Sequence, residues 1–462
     1  MSPPANKRAD FGVSLVAPLA LGSLLNPINS SMIATVLEPI GRAFDATASK
    51  VLWLVAALYV TSAVAQPTMG KLADRWGARR VFLLGLVLVL IGGGAGAVAP
   101  SLNALIGVRV VLGIGTSAAY PSAMRVLRTH SRRVGRETPR TVLAVLSLAG
   151  LSTMAVGPTL GGLLTGAAGW RAIFLVNVPL AAAGIALCLL FVAPDDTHPA
   201  EASGAQLDLL GIALFAGAVI AGMLFAMGIK DGPRWSLLAI LAACALALVV
   251  HSLRRSVAQP FIDLRMLARN RALSATYIRF GLTCVLSYVI LYGFAQWMEG
   301  ALGYTPTQAG VATLPLSIMA MATSLLSSRM TTLRAPLVLT AVSLLAGCLG
   351  LLVLGDGASG LAIGGVGVLF GLAQGTNSLA NQAAVYDQAP ADDIGSAAGL
   401  QRTAGYLGAV VASSLLGFFY GGRASTPGLH SLAVTMMALS AVLLAGTHLD
   451  PALHAKQPQP TT

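Results

Sequence analysis

Fourteen continuous apolar runs follow one another along this chain, roughly at 12–37, 51–70, 81–99, 102–124, 141–165, 173–192, 209–228, 236–252, 273–298, 307–328, 336–354, 359–382, 395–421 and 429–447. A helix needs about 20 mostly apolar residues to cross a bilayer. Barrel strands alternate apolar and polar positions, and these runs do not, so a β-barrel is excluded. Charged residues make up only 10% of the chain, whereas soluble domains carry about 25%. Hydrophobic residues reach 56%, and mean hydropathy is +0.78. A soluble fold of 462 residues has no way to wet its surface with so little charge, and disorder needs the opposite composition. The expected fold class is an all-α polytopic membrane protein with 14 spans.

The net charge of +12 sorts by position. With the N-terminus in the cytoplasm, the outer loops hold Arg42, Lys50, Arg171, Lys230, Arg234 and Arg423. Arg109, Arg279 and Arg402 fall within the runs, and all other Lys and Arg lie on the inner side. The positive-inside rule then places both termini in the cytoplasm, and the charge reports topology and no nucleic-acid partner. Two inner loops are acidic: 193–208 with Asp195, Asp196, Glu201 and Asp208, and the segment at Asp387, Asp392 and Asp393. The rule largely ignores acids. With Pro194, Pro199 and Gly204 the first of these reads as a linker. The expected domains are an N-terminal six-helix bundle at 1–193, a linker with two extra central helices at 194–258, a C-terminal six-helix bundle at 259–448, and a cytoplasmic tail at 449–462.

Lys7, Arg8 and Asp10 precede an apolar stretch of about 25 residues, longer than the roughly 7–15 of a leader's apolar core, so a first span is expected instead of a cleaved leader. Cys188, Cys244, Cys284 and Cys348 sit inside apolar runs without metal spacing and read as small fillers. Arginine outnumbers lysine, and Ala, Gly and Leu dominate, which fits a GC-rich bacterial genome and a bacterial cytoplasmic membrane.

Between runs 2 and 3 lies Gly70-Lys71-Leu72-Ala73-Asp74-Arg75-Trp76-Gly77-Ala78-Arg79-Arg80. Glycines permit a sharp turn, and one carboxylate sits among cations. Asp74 is placed to accept from arginines and face a helix N-terminus, a cluster able to latch two bundles in one state. The plain reading is a positive-inside turn with an incidental acid. Run 4 carries Arg109 within Arg109-Val110-Val111-Leu112-Gly113-Ile114-Gly115. An arginine in a span is costly and marks function by default, or else snorkels to the interface. Run 5 carries Gly157-Pro158-Thr159-Leu160-Gly161-Gly162, where Pro removes a helix bond and glycines allow close packing. Gly169-Trp170-Arg171-Ala172-Ile173-Phe174-Leu175-Val176-Asn177-Val178-Pro179 follows.

On these segments the chain resembles the major facilitator superfamily, and within it the fourteen-helix drug:proton antiporters. The first matches the superfamily signature nearly throughout, with Ala78 where Arg or Lys is common. The others match the family's intramembrane Arg, its antiporter motif and its GWRxIFxxNxP stretch, with departures at Leu112 and Thr153. The resemblance extends to Pro260–Leu267, Gly303–Gly310, and Gly395, Gly399, Arg402, Gly405 and Gly408. It implies two six-helix bundles plus two central helices, with Arg109 coupling to protons. One expected feature is missing: Ser30 stands where relatives carry an Asp in the first helix.

Glu299 is the acid best placed to take over, either desolvated enough to exchange protons or simply wet beyond the end of run 9. Polar side chains fall on shared helix faces: Asn26, Asn29 and Ser30 on run 1, and Gln374, Asn377 and Asn381 on run 12. Tyr59, Gln66, Tyr120, Arg279, Tyr292, Gln296 and Arg402 complete the expected substrate cavity. Such groups face the bundle interior or water, and interhelical hydrogen bonding alone is the competing account.

The expected function is a proton-coupled exporter of a small molecule such as a drug, antibiotic or metabolite, acting by alternating access. The expected partners are that substrate, protons and the bilayer. The expected oligomeric state is a monomer, with the proton gradient as energy source and no cofactor. Import or facilitated diffusion of a polar or anionic solute is the alternative. A polytopic enzyme lacks support, since no HExxH, GxSxG, membrane-face DxxD or Walker A sequence occurs.

Overall fold

The computed structural model describes residues 11–135, 140–195, 208–228, 232–254, 257, 260–327, 332–388 and 394–453. Among these residues the secondary structure is helical, with no strand. Helix is the form that satisfies every backbone N–H and C=O internally when lipid offers no partner.

In the first half, α1 (Val13–Ser31) passes through a 3₁₀ turn (Met32–Thr35) into α2 (Leu37–Ala43) and α3 (Ala48–Val51). Then come α4 (Trp53–Trp76), α5 (Ala78–Ala97), α6 (Leu102–Val134), α7 (Arg140–Ala168), α8 (Ala172–Leu175) and α9 (Asn177–Phe191). The central pair is α10 (Leu209–Gly228) and α11 (Trp235–Leu253). In the second half are α12 (Leu264–Arg269), α13 (Arg271–Gly300), α14 (Pro306–Ala312), α15 (Leu314–Ser327), α16 (Arg334–Val353), α17 (Gly360–Gln388), α18 (Ile394–Tyr420) and α19 (Thr426–Leu449). Each of the fourteen apolar runs thus lies on helix. Eleven helical stretches among the described residues are long and apolar enough to cross a membrane.

Helix starts follow local chemistry. Ser101, Asn270 and Ser425 each accept a backbone N–H at the head of α6, α13 and α19. The turn expected at Gly303–Gly310 forms a capping box: Thr305 Oγ1 accepts from Gln308 N, Gln308 Oε1 accepts from Thr305 N, and Pro306 occupies the first turn.

Two bundles emerge from the packing. α1 lies against α6, α7 and α9, and α6 against α4 and α5; α13 lies against α17, α18 and α19, and α16 against α17 and α19. The central pair is different. α11 presents Leu246, Val249 and Val250 outward, an apolar surface suited to lipid. α10 packs on α4 of one bundle and α18 of the other, and Phe215 of α10 is buried with Ala63 of α4. The four cysteines are free; Cys188, Cys284 and Cys348 are buried.

The bundles are fastened to each other at one end. Ala48 N donates to Gly422 O at 3.0 Å and Ser49 N to Gly421 O at 3.1 Å. We call this the seam end. The opposite end carries Arg79, Arg80, Arg132, Arg133 and Arg334 and is the basic end.

Candidate functional site

Arg109 is 1% exposed. Its Nε donates to Leu54 O of α4 at 2.8 Å, and its Nη1 donates to Asn29 O of α1 at 2.9 Å. Nη2 has no hydrogen-bond partner. The guanidinium therefore does not snorkel: it bridges two helices inside the bundle. Close approach makes this possible, since a Cβ on Gly113 would stand 3.0 Å from Leu58 O of α4.

The polar stripe of α1 is used within the first bundle. Asn29 exchanges hydrogen bonds with Asn177 of α9, at 2.5 and 2.9 Å, and is buried. Asn26 donates to Thr116 at 3.0 Å and Ser62 at 3.3 Å. For these two the geometry is helix-to-helix bonding. Asn177 was visible only as part of a motif, and nothing in its own neighbourhood in the sequence points to Asn29.

Other expected cavity residues meet between the bundles. The Tyr59 and Tyr292 hydroxyls are 2.8 Å apart, and Tyr292 OH donates to Ser30 O at 2.6 Å. Tyr288 stacks on Tyr292, with centroids 6.0 Å apart, and Tyr59 also meets Tyr288 and Tyr406. Tyr406 OH donates to Gln66 Oε1, and the Arg402 guanidinium lies 3.7 Å from the Tyr120 ring centroid. α1, α4 and α6 thus supply Ser30, Tyr59, Gln66 and Tyr120, and α13 and α18 supply Tyr292 and Arg402. Gln296, one turn beyond Tyr292, is buried and donates to Tyr292 O at 3.3 Å. Gln374 is half-buried on α17.

Arg279 behaves differently from the expected cavity cation. It is 6% exposed, and its Nη1 pairs with Asp450 Oδ2 at 2.8 Å. Nη2 donates to Thr276 at 2.8 Å, and Nε points at Asn381 Oδ1 at 3.5 Å. Asn381 in turn donates to Asn377 Oδ1 at 2.6 Å. Arg279, Asn377 and Asn381 therefore form an internal network that closes on Asp450, a residue assigned by sequence to the tail.

The glycines of α7 lie along both bundles. A Cβ on Gly157 would fall 1.7 Å from Ser31 Oγ, and one on Gly161 2.5 Å from Met32 O. A Cβ on Gly162 would fall 2.4 Å from Pro306 O, across the seam on α14. Thr159 Oγ1 donates to Gly310 O at 2.9 Å, and Thr307 Oγ1 donates to Gly162 O at 3.1 Å. Thr35 Oγ1 donates to Pro158 O at 3.3 Å, a carbonyl near the proline of α7. Gly162→Ala should cost the closed seam about 1–3 kcal/mol by overpacking against backbone. Its readout is the alkylation rate of Ala48→Cys, a buried seam position. That rate should rise about 5–150-fold, since 1.4 kcal/mol is tenfold. An unchanged rate would show that the glycine contact is not tight.

At the basic end, Gly70 lies on α4 and Gly77 adopts φ +99, in the left-handed region that favours glycine. A Cβ there would overlap the Asp195 carboxyl at 2.3 Å. Asp195 accepts from Arg79 N and Arg80 N, both at 3.0 Å, and so occupies the N-terminus of α5. The Arg79 side chain donates to Leu189 O at 3.1 Å, and Arg75 is exposed. The side chain of Asp74 lies outside the described residues, as do that of Asp387 and residues Asp196, Glu201, Asp392 and Asp393. The sequence offered Asp74 for the helix terminus; the acid found there is Asp195, brought from α9 by packing that no local pattern announces.

The other end of the acidic linker is also fixed. Asp208 accepts from Gly211 N and Phe261 N at 2.8 Å, and it meets His251 Nε2 at 2.6 Å. Partial burial works against its charge, but the two backbone N–H groups and the imidazole outweigh it and hold this carboxyl below its ordinary value.

Glu299 stands in the last turn of α13 at 1% exposure, and its Oε1 has no hydrogen-bond partner. It is not a wet residue past the helix end, because α13 continues to Gly300.

Comparison with known proteins adds the lineage of this arrangement. The family model for the Major Facilitator Superfamily matches residues 19–413. An uncharacterized MFS-type transporter of Bacillus subtilis (strain 168), YwoD, is 33% identical over 410 residues, spanning 87% of this chain and 89% of that one. A tetracenomycin C resistance and export protein of Streptomyces glaucescens is 28% identical over 421 residues, spanning 88% and 75%. A crystal structure of a mutant peptide transporter POT in complex with alafosfalin superposes with a TM-score of 0.68 at 16% identity, covering 95% of this chain and 96% of that one. That likeness concerns the fold alone.

Proposed function

Because the chain belongs to the Major Facilitator Superfamily, a family of membrane transporters and not of enzymes, we propose that it is a proton-coupled exporter of a small molecule. The observation that carries this reading is Arg109. It is a cation buried inside the first bundle, held by two carbonyls, with its Nη2 left without a partner. It adjoins the Tyr59–Tyr292 contact that joins the bundles: it holds Asn29 O, and Tyr292 holds the next carbonyl, Ser30 O. A buried charge of this kind is expensive, and in a membrane bundle it marks proton or substrate pathways. Resistance and export functions named for relatives point the same way.

In this reading all fourteen runs span a bacterial cytoplasmic membrane, and the basic end faces the cytoplasm with both termini. The units at 1–193 and 259–448 rock about the seam, with 194–258 between them and 449–462 as a tail. Gly70, Asp74, Arg75, Gly77, Arg79 and Arg80 latch the basic end when the seam opens. Arg109 and Glu299 handle the proton, Gly157, Pro158, Gly161 and Gly162 shape the seam, and the residues about Tyr59, Tyr292 and Arg402 contact substrate. The protein works as a monomer, with the proton gradient as its energy source.

The test is a susceptibility and export profile of a deletion strain against its overexpressor, over cationic, neutral and anionic compounds. For a compound so identified, collapsing the proton gradient should raise its accumulation in overexpressing cells. A fall in accumulation would assign import instead.

A further inference from the structure

Glu299 and the seam are in one place, and burial ties them together. Gln296, Trp297, Met298 and Glu299 are each no more than 1% exposed, so this turn of α13 is sealed. The helix that carries it, α13, packs against the 3₁₀ turn and α2 of the opposite bundle. From α2, Glu38 and Arg42 act on Glu299 electrostatically. Those two are paired with each other at 3.2 Å, Glu38 being 15% exposed and Arg42 61%. They line a cleft of about 360 Å³, with Asp45, Thr47 and Arg423 on its walls. On the remaining sides, Tyr420 OH donates to Gly293 O at 2.8 Å, Tyr304 N donates to Met298 O, and Trp297 Nε1 donates to Thr426, which donates to Asp356. Asp356 is thus held by Thr426. No cation or N–H among the described residues bonds Glu299 Oε1.

A carboxylate without partners cannot be sealed away from water without a large penalty, whereas a neutral acid can. The sealing is made by the two bundles meeting. We infer that Glu299 makes closure of the seam conditional on a proton, which arrives through the Glu38–Arg42 cleft while the bundles stand apart. With that proton bound, the bundles close over Glu299. The proton leaves toward the basic end along the face of α13 that also carries Gln296 and Tyr292, at helical spacing. Ionised Glu299 then favours an open, hydrated seam. This rests on the proposed proton coupling, and it gives the first-helix carboxylate that the chain lacks a substitute located at a gate.

The test reads the seam directly. Spin labels are placed at Lys50→Cys and Ser431→Cys, exposed positions on opposite bundles, after Cys188, Cys244, Cys284 and Cys348 are replaced by Ala. Distance distributions are measured in the full-length protein in nanodiscs between about pH 5 and pH 8, the range in which a perturbed carboxyl titrates. The ratio of closed to open populations should fall about tenfold or more as pH rises. Glu299→Gln, a neutral isostere, should stay closed throughout, with less than about a twofold change. Glu299→Asp should keep a pH response. A Gln variant that opens with pH as the unsubstituted protein does, or an unsubstituted seam indifferent to pH, overturns the inference. Failure of the antiport reading shows elsewhere: cells whose accumulation ignores the proton gradient would overturn it, whatever the seam does.

Discussion

Arg109→Lys should reduce export of the identified compound about 10–150-fold while leaving the protein in the membrane in normal amount. The charge is retained, but an ammonium on a shorter reach cannot hold Leu54 O and Asn29 O together as the guanidinium fork does. One hydrogen bond to a charged group contributes about 1.5–3 kcal/mol, which corresponds to that range in rate. The effect should reach transport before stability, because the positive charge near Tyr59 and Tyr292 survives while its aim is lost. Arg109→Met, which removes the charge, should abolish export. Efflux rates from loaded cells check both, with surface biotinylation or immunoblotting to confirm yield. An Arg109→Lys rate equal to that of the unsubstituted protein would refute the assignment of Arg109 as a working part.

The second large effect concerns stability. Asp450→Asn leaves Arg279 buried at 6% exposure without its counter-charge. Removing one partner of a buried pair costs about 3–5 kcal/mol, because the remaining charge is uncompensated. Replacing both partners by apolar residues of similar volume often costs little, so Arg279→Met with Asp450→Leu should recover most of the loss. Thermal unfolding of the purified protein, run as a double-mutant cycle, separates these cases. Asp450→Asn melting with the unsubstituted protein would mean that the pair contributes nothing. Truncation at Leu449 should behave as Asp450→Asn does.

These two residues show what the sequence could and could not disclose. Fold class was legible because bilayer thickness imposes a length and a composition on every span. The close packing of Gly157, Gly161 and Gly162 was legible because a missing side chain has one main use beside a neighbouring helix. Arg109 was conspicuous because a charge inside an apolar run needs a reason. Partners were another matter. Arg279 looked like a cavity cation until α19 brought Asp450 to it, 171 positions along the chain. Asp195 looked like linker acidity until α9 laid it on the head of α5. Asn29 looked like a cavity amide until Asn177 exchanged hydrogen bonds with it and Leu25 O accepted another. Each polar group was readable as a demand, but what met the demand depended on packing between distant helices. Glu299 was uncertain for a narrower reason: a span boundary wrong by a few residues separates a wet acid from a sealed one.

The central pair has a consequence for the surrounding lipid. α10 lies across α4 and α18, which belong to different bundles, and α11 covers α10 from the lipid side. On that flank, lipid therefore meets the central pair wherever α10 covers the meeting of α4 with α18. That cover is also moored: Asp208 fixes the start of α10 to His251 and Phe261, and Asp195 fixes the other end of the preceding linker to α5. The cover over the junction of α4 with α18 is thus tied down at both ends of the linker that leads into it.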